Sequence, residues 1–240
     1  MQKYLISLNE KVRLSESVFL FRFRLVNPRE LLFVPGQYVV FTIPYNNASV
    51  KRLYSIASSS ANTDAFELLI KIVPNGIASN HLSLLTIGQT LEVEGPAGVF
   101  GVKETGHDKV FLATGTGIAP IRSFYLSHLQ HTRQYRLFWG LPTLKDLYLF
   151  DELKQIALKD PLFCFCICLS KETDLSGIQQ DDRKYFSLGH IDGAMHEKIL
   201  CAGQSSLEYY ICGRREVVES TRLFLYNQNI DRSLVYFERY

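Results

Sequence analysis

Three short segments carry residue types suited to holding a phosphate-bearing ligand. Gly115-Thr116-Gly117-Ile118-Ala119-Pro120 combines glycines, which let backbone amides approach a pyrophosphate, with a hydroxyl and the start of a helix whose dipole stabilises negative charge. Pro120 stands where the third glycine of a G-x-G-x-x-G fingerprint would be, so by itself the loop reads equally well as a tight strand-to-helix turn. On a strand, Arg52-Leu53-Tyr54-Ser55 puts Arg52 and Tyr54 on one side and Ser55 on the other. A guanidinium that grips phosphate then lies beside a ring that stacks on a planar ligand, although a surface Arg and a half-buried Tyr on any barrel strand would look the same. Gly76-Ile77-Ala78-Ser79-Asn80 resembles a turn entering a short helix, either a second phosphate cradle with Ser79 as hydroxyl donor or a plain connection.

The elements that must position these segments change character near Thr105 to Asp108. Before that point KYLISLN, SVFLFRFRLV, QYVVFTIP, RLYSIAS, FELLIKIV and TLEVEG read as six short strands divided by Pro, Gly, Asn and Ser turns, the pattern of an antiparallel barrel or sandwich. After it, five strands (KVFLATG, YRLFWG, FCFCICLS, YYICG, LVYFERY) alternate with helical segments over 121–130, 145–158, 194–200 and 215–228. Right-handed crossovers and a parallel sheet covered on both faces follow. Such a sheet binds its ligand at the carboxyl ends of the strands, where the loop at Gly115 and the segments after FCFCICLS and YYICG emerge. Thr173 to Lys184 is the long loop of this half.

Composition excludes several classes. The chain has 240 residues, 47% hydrophobic and 21% charged, and carries 26 Lys and Arg against 24 Asp and Glu. Disorder is ruled out, and without a basic block neither nucleic acid nor a membrane surface has electrostatic support. The charge-free stretches Leu31 to Val50 and Ile72 to Leu91 are broken by Pro, Gly and Asn and do not read as membrane spans. The N-terminus becomes charged too early for a signal peptide, so a cytoplasmic location is expected. Three of five cysteines form Cys164-x-Cys166-x-Cys168, about 6.6 Å apart along one strand face. That spacing suits small buried core residues better than a metal site, and no metal is expected.

RLYSIASS, FELLIKIV, GIASNHL, EGPAGVF, ATGTGIAPIRSF, LFWGLPT, LSKE, YYICG and a terminal ERY follow one another in the order and spacing of the ferredoxin–NADP reductase family. The sequence resembles the plant-type branch from about Pro35 to the last residue. The resemblance implies an antiparallel six-stranded FAD-binding β-barrel over 1–105 and a five-stranded parallel-sheet NADP-binding α/β domain over 106–240. It also implies FAD held by Arg52 on the pyrophosphate, Tyr54 on one flavin face and Leu53 and Ser55 beside it, Ser55 near flavin N5. Ile70, Lys71, Ile72, Gly76, Ile77, Ala78 and Ser79 would line the rest, with Thr116 and Tyr240. For NADP(H) the matching residues are Gly115, Thr116, Gly117, Ala119 and Pro120 at the pyrophosphate, and Cys212 and Gly213 beside the nicotinamide. Ser170, Lys171, Arg183 and Tyr185 match the adenosine end with its 2′-phosphate. Lys171 replaces the family's arginine, keeping charge while losing the bidentate fork. Ser55, Cys212, Glu238 and Tyr240 are the implied catalytic set, Glu238 as the closing acid and Tyr240 as a lid.

The activity implied is hydride transfer between NADP(H) and flavin N5, with single electrons passed to or from ferredoxin or flavodoxin, by a chain expected to be a monomer. The alternatives are an NADH-dependent reductase component of an oxygenase, a free-flavin reductase, and an idle nucleotide-binding subunit that keeps only the fold.

Overall fold

A computed structural model of the chain describes residues 1–127, 133–199 and 207–240. Two compact units form: Met1–Val102 together with the segment that begins at Ala119, and Lys103–Ile118 with the remainder of the chain. Residues 128–130 of the helix expected over 121–130, residue 200 of that expected over 194–200, and Cys201 lie outside the described residues.

In the first unit, strands β1 (Gln2–Arg13), β2 (Val18–Asn27), β3 (Tyr38–Tyr45), β4 (Ala48–Ser55), β5 (Ala65–Lys71) and β6 (Thr90–Ala97) pair antiparallel in the order β4-β3-β6-β1-β2-β5. An isolated bridge between Ile56 and Leu68 joins the end of β4 to β5 and closes the barrel. The period-two alternation of β1 buries Tyr4, Ile6 and Leu8, which meet Phe21, Phe23, Phe41 and Phe66 in one core. Asn46 and Asn47 both take positive φ, at 42° and 46°, as a two-residue hairpin turn between β3 and β4 requires. Helix α1 (Ile77–Ser83) contributes Ala78 and Leu82 to the core.

The second unit is built on β7 (Asp108–Thr114), β8 (Tyr135–Leu141), β9 (Phe163–Leu169), β10 (Phe186–Leu188), β11 (Leu207–Gly213) and β12 (Val235–Arg239), parallel in the order β10-β9-β8-β7-β11-β12. Helix α2 (Ile118–Ser127) follows β7, and α3 (Phe150–Lys159), α4 (Ile191–Lys198) and α5 (Arg215–Asn227) lie farther along the chain. The five strands expected become six. The extra strand, β10, pairs only three residues with β9, too few to show a period. The helix expected from 145 is also divided: Leu144–Asp146 forms a 3₁₀ turn, Leu149 takes φ 57°, and α3 starts at Phe150. Thr143 and Asp146 close that turn as a reciprocal capping box. Within the expected loop 173–184 begins a 3₁₀ turn, Gln180–Tyr185, tied to α3 by Lys154 Nζ on Asp182 at 2.7 Å. Cys166 and Cys168 are buried as expected, whereas Cys164 at the start of β9 is exposed. Among the described residues no helix is long and apolar enough to cross a membrane.

Candidate functional site

Strand β4 is the least covered strand of the barrel. Register pairs Arg52 with Phe41 and Tyr54 with Val39, so Arg52 and Tyr54 share one sheet face and Leu53 and Ser55 the other. Tyr54 packs edge-on against Phe41 with ring centroids 5.5 Å apart, and burial pushes its hydroxyl up to about 12, with the Arg52 charge pulling the other way. Arg52 is exposed, donates from Nη1 to the Lys51 carbonyl at 2.9 Å, and makes no ion pair among the described residues. Leu53 is 54% exposed. A bared guanidinium without an ion pair, on the same sheet face as Tyr54, suits an anionic ligand that carries a planar ring.

At the end of β5, Ile70 is buried while Lys71 and Ile72 are half-buried. Gly76 leads into α1, whose N-terminus has no side-chain cap. The Ser79 hydroxyl accepts from the Val73 amide at 3.1 Å and lies 3.4 Å from the Gly76 carbonyl, so it is engaged in closing this turn. A Cβ on Gly76 would stand 2.6 Å from that hydroxyl oxygen.

In the second unit the strand order reverses between β7 and β11, and a ligand binds an open α/β sheet at this switch point. Gly115–Gly117 forms a 3₁₀ turn there. A Cβ on Gly117 would fall 2.2 Å from the Cys212 carbonyl oxygen, and one on Gly213 would fall 2.2 Å from Thr114 Oγ1. Glycine at both positions is what lets the loop after β7 lie directly on the end of β11. Gly115 takes φ 52°, and its carbonyl accepts from Trp139 Nε1 at 2.9 Å and from the Tyr148 hydroxyl at 3.0 Å. These two aromatics, edge to face at 4.7 Å, fix the loop. Sequence reasoning missed them; the single Trp of the chain, inside LFWGLPT, was the available signal.

Strand β12 brings the C-terminal residues to the same place. Cys212 pairs with Glu238 and Gly213 with Arg239. The Tyr240 amide donates to the Gly213 carbonyl at 3.3 Å, and its hydroxyl donates to the Thr114 carbonyl at 3.1 Å and lies 3.4 Å from Thr116 Oγ1. Tyr240 as a whole residue is 60% exposed, yet its hydroxyl oxygen is lodged in the loop, and desolvation there pushes the hydroxyl up to about 12 against the hydrogen bond to Thr116. Burial raises the Cys212 thiol well above its ordinary value, with the Glu238 charge adding to it. At neutral pH Cys212 is therefore a thiol and not a nucleophilic thiolate.

Gly115, Thr116, Gly117, Cys212, Gly213, Glu238 and Tyr240 thus form one cluster. Ala119 and Pro120 are buried in the first turns of α2. Ser170 and Lys171 lie at the end of β9, their amides donating to the carbonyls of Leu141 and Pro142 at 3.0 and 2.9 Å, and Lys171 is exposed. Three strand spacings separate the ends of β9 and β11, about 14 Å, the scale of an extended dinucleotide. Arg183 is exposed, with Nε on the Ile178 carbonyl at 3.2 Å. Tyr185 stacks on Phe165 at 4.7 Å and 3°, so one face of its ring is covered by the protein.

Two family models match the chain: an oxidoreductase FAD-binding domain over residues 5–101 and an oxidoreductase NAD-binding domain over residues 111–223. The class is therefore an oxidoreductase with an FAD-binding barrel and an NAD(P)-binding parallel-sheet domain. The chain is 26% identical over 240 residues to the toluate 1,2-dioxygenase electron transfer component of Pseudomonas putida, covering 99% of this chain and 67% of that protein. It is 29% identical over 223 residues to ferredoxin–NADP reductase B of Sorangium cellulosum, covering 91% and 89%. The solved structure of the Amycolatopsis cytochrome P450 reductase GcoB superposes with a TM-score of 0.86 at 23% identity, covering 99% of this chain and 69% of that one. The chain spans only 44% to 62% of the length of several further curated relatives. The chain belongs to the ferredoxin–NADP reductase family.

Proposed function

We propose that the protein takes reducing equivalents from NADPH and delivers them singly to a separate small carrier protein, a ferredoxin or flavodoxin. The observation that carries this reading is the seating of Gly117 on Cys212-Gly213 at the switch point, with Tyr240 hydrogen-bonded into the same loop. FAD, when bound, supplies the conversion between a two-electron donor and a one-electron acceptor. In the barrel, Arg52 holds its pyrophosphate, Tyr54 stacks on the ring system, and Ser55 holds a proton at flavin N5. In the α/β unit, the amides of the Gly115–Gly117 turn bind the NADPH pyrophosphate, and Cys212 and Gly213 shape a dry place for the nicotinamide. Tyr240 occupies that place at rest, and Glu238 moves the proton. Lys171 and Arg183, both exposed cations, answer the 2′-phosphate. The relatives named ferredoxin–NADP reductase B and electron transfer component support delivery to another protein.

A second reading, the NADH-dependent reductase component of an oxygenase, is favoured by the match to the toluate dioxygenase component along 99% of this chain. Replacing Lys171 and Arg183 together separates the two: weakened NADPH affinity with NADH unaffected supports the first reading, and no change in either supports the second. Ser55→Ala and Glu238→Ala are expected to slow flavin reduction while FAD stays bound. Unchanged stopped-flow rates in both variants would remove these residues from the chemistry.

A further inference from the structure

The Cys164-x-Cys166-x-Cys168 run is not used by the proposed chemistry. In the structure its middle member has a partner that the sequence did not reveal: Lys198, at the last turn of α4, places Nζ 3.2 Å from the Cys166 sulfur. Cys166 itself is only 3% exposed, packed with Ala194, Met195 and Ile199 of the α4 region. Lys198 is exposed and forms no salt bridge among the described residues. An ammonium is strongly hydrated, so a sulfur in contact with an exposed ammonium lies one layer from water. A cation on a sulfur otherwise surrounded by apolar groups stabilises the thiolate, the form that reacts.

We propose that Cys166 is a reactive thiolate, activated by Lys198, that takes small soft electrophiles and is oxidised by hydrogen peroxide to the sulfenic acid. The sulfur attacks one peroxide oxygen, an S–O bond forms as the O–O bond breaks, and sulfur gives up two electrons. The departing hydroxide takes a proton from the Lys198 ammonium and leaves as water. The electrostatics agree. The Cys166 thiol is held below its ordinary value by Cys168 and then by Lys198, against burial and the Glu197 charge, while the Cys168 thiol donates to the Cys166 carbonyl at 3.9 Å. Cys168 is driven the opposite way by Cys166 and burial, with Asp192 adding to it. Cys164, although at the exposed end of the same strand, is raised by burial around its sulfur, only partly offset by Arg136 and Lys198. Exposure and reactivity therefore run in opposite orders along this strand.

The test is alkylation of the folded full-length protein with iodoacetamide across pH 5.5 to 9.5, read by peptide mass spectrometry. In parallel, the protein is treated with hydrogen peroxide in the presence of dimedone. Expected are carbamidomethylation of Cys166 that plateaus at a lower pH than that of Cys164, and a dimedone adduct on Cys166 that is absent from Cys166→Ser. Lys198→Met should slow labelling of Cys166 at pH 7 by about tenfold, the effect of one pH unit of thiol titration, and Lys198→Arg should restore it. Cys166 that is labelled only on unfolding, or equal rates in wild type and Lys198→Met, would overturn the proposal. The wild-type pH profile and adduct decide the matter even if the Met variant folds poorly.

Discussion

Gly117→Ala tests whether the loop after β7 and the end of β11 act as one surface. The added Cβ would meet the Cys212 carbonyl oxygen at 2.2 Å and its carbon at 2.7 Å. Ordinary contact begins near 3.4 Å, so the loop must lift by about 1 Å. The obstructing atoms are backbone in a buried central strand and cannot swing aside. Overpacking of this kind costs about 1–3 kcal/mol, and misplacing a positioning element by 1 Å lowers rate by about 10²-fold. Urea unfolding should therefore show a loss within that range, and anaerobic stopped-flow reduction should slow by roughly two orders of magnitude, with FAD content unchanged. Gly115→Ala differs in kind: nothing lies within 4 Å of the new Cβ, but the φ of 52° imposes strain of about 1–2 kcal/mol on any L side chain, so stability should fall without the clash against the end of β11. Equal reduction rates in wild type and Gly117→Ala would refute the claim that this contact sets the nicotinamide site.

Arg122 is buried, with Nη1 on Glu67 Oε2 at 2.6 Å and on the Ala57 carbonyl at 2.9 Å. Arg122→Ala leaves Glu67 to Arg22 alone and should lower stability in urea unfolding, by less than the about 3–5 kcal/mol of a wholly unpaired buried charge; pairing Arg122→Met with Glu67→Leu should recover most of the loss, and a single variant as stable as wild type would contradict this. Burial raises the Glu67 and Glu208 carboxyls, but Arg122 and Arg22 outweigh it for Glu67, and Lys109, Tyr210 and Thr105 do so for Glu208, so both end below the ordinary range. Their contribution is complete above the ordinary carboxylate pKa and is lost as pH falls through the lowered native values; a Glu208→Gln variant should be less stable at pH 7 and lose less on acidification, and parallel stability curves for variant and wild type would oppose this. Deleting Tyr240 removes the hydroxyl from the Thr114 carbonyl and should relax the preference for NADPH over NADH; an unaltered ratio would count against its role as a lid.

The barrel was legible because its strands alternate: Tyr4, Ile6 and Leu8 announce an inward face, and the Asn46-Asn47 pair marks a tight hairpin. The Gly115 loop was legible for a related reason, since a strand, glycines and a helix start in that order leave few other structures. What stayed hidden were contacts between distant residues. The hold of Trp139 and Tyr148 on the Gly115 carbonyl, and the buried Lys109–Glu208 pair at 2.6 Å, join positions 24, 33 and 99 residues apart, and no local pattern encodes them. The break at Leu149 was missed because neither Gly nor Pro marks it, and β10 because three residues show no period. Cys166 read as core from its apolar neighbours, and by burial it is. The lysine that changes its chemistry arrives from another element 32 residues away.

The most direct test of the central claim is the visible spectrum of the purified protein, with FAD added if needed, followed anaerobically on mixing with NADPH and separately with NADH. Oxidised-flavin absorbance that is bleached by both nucleotides, and faster by NADPH, is the expected result. A protein that cannot be loaded with FAD, or whose bound flavin neither nucleotide reduces, would contradict the account.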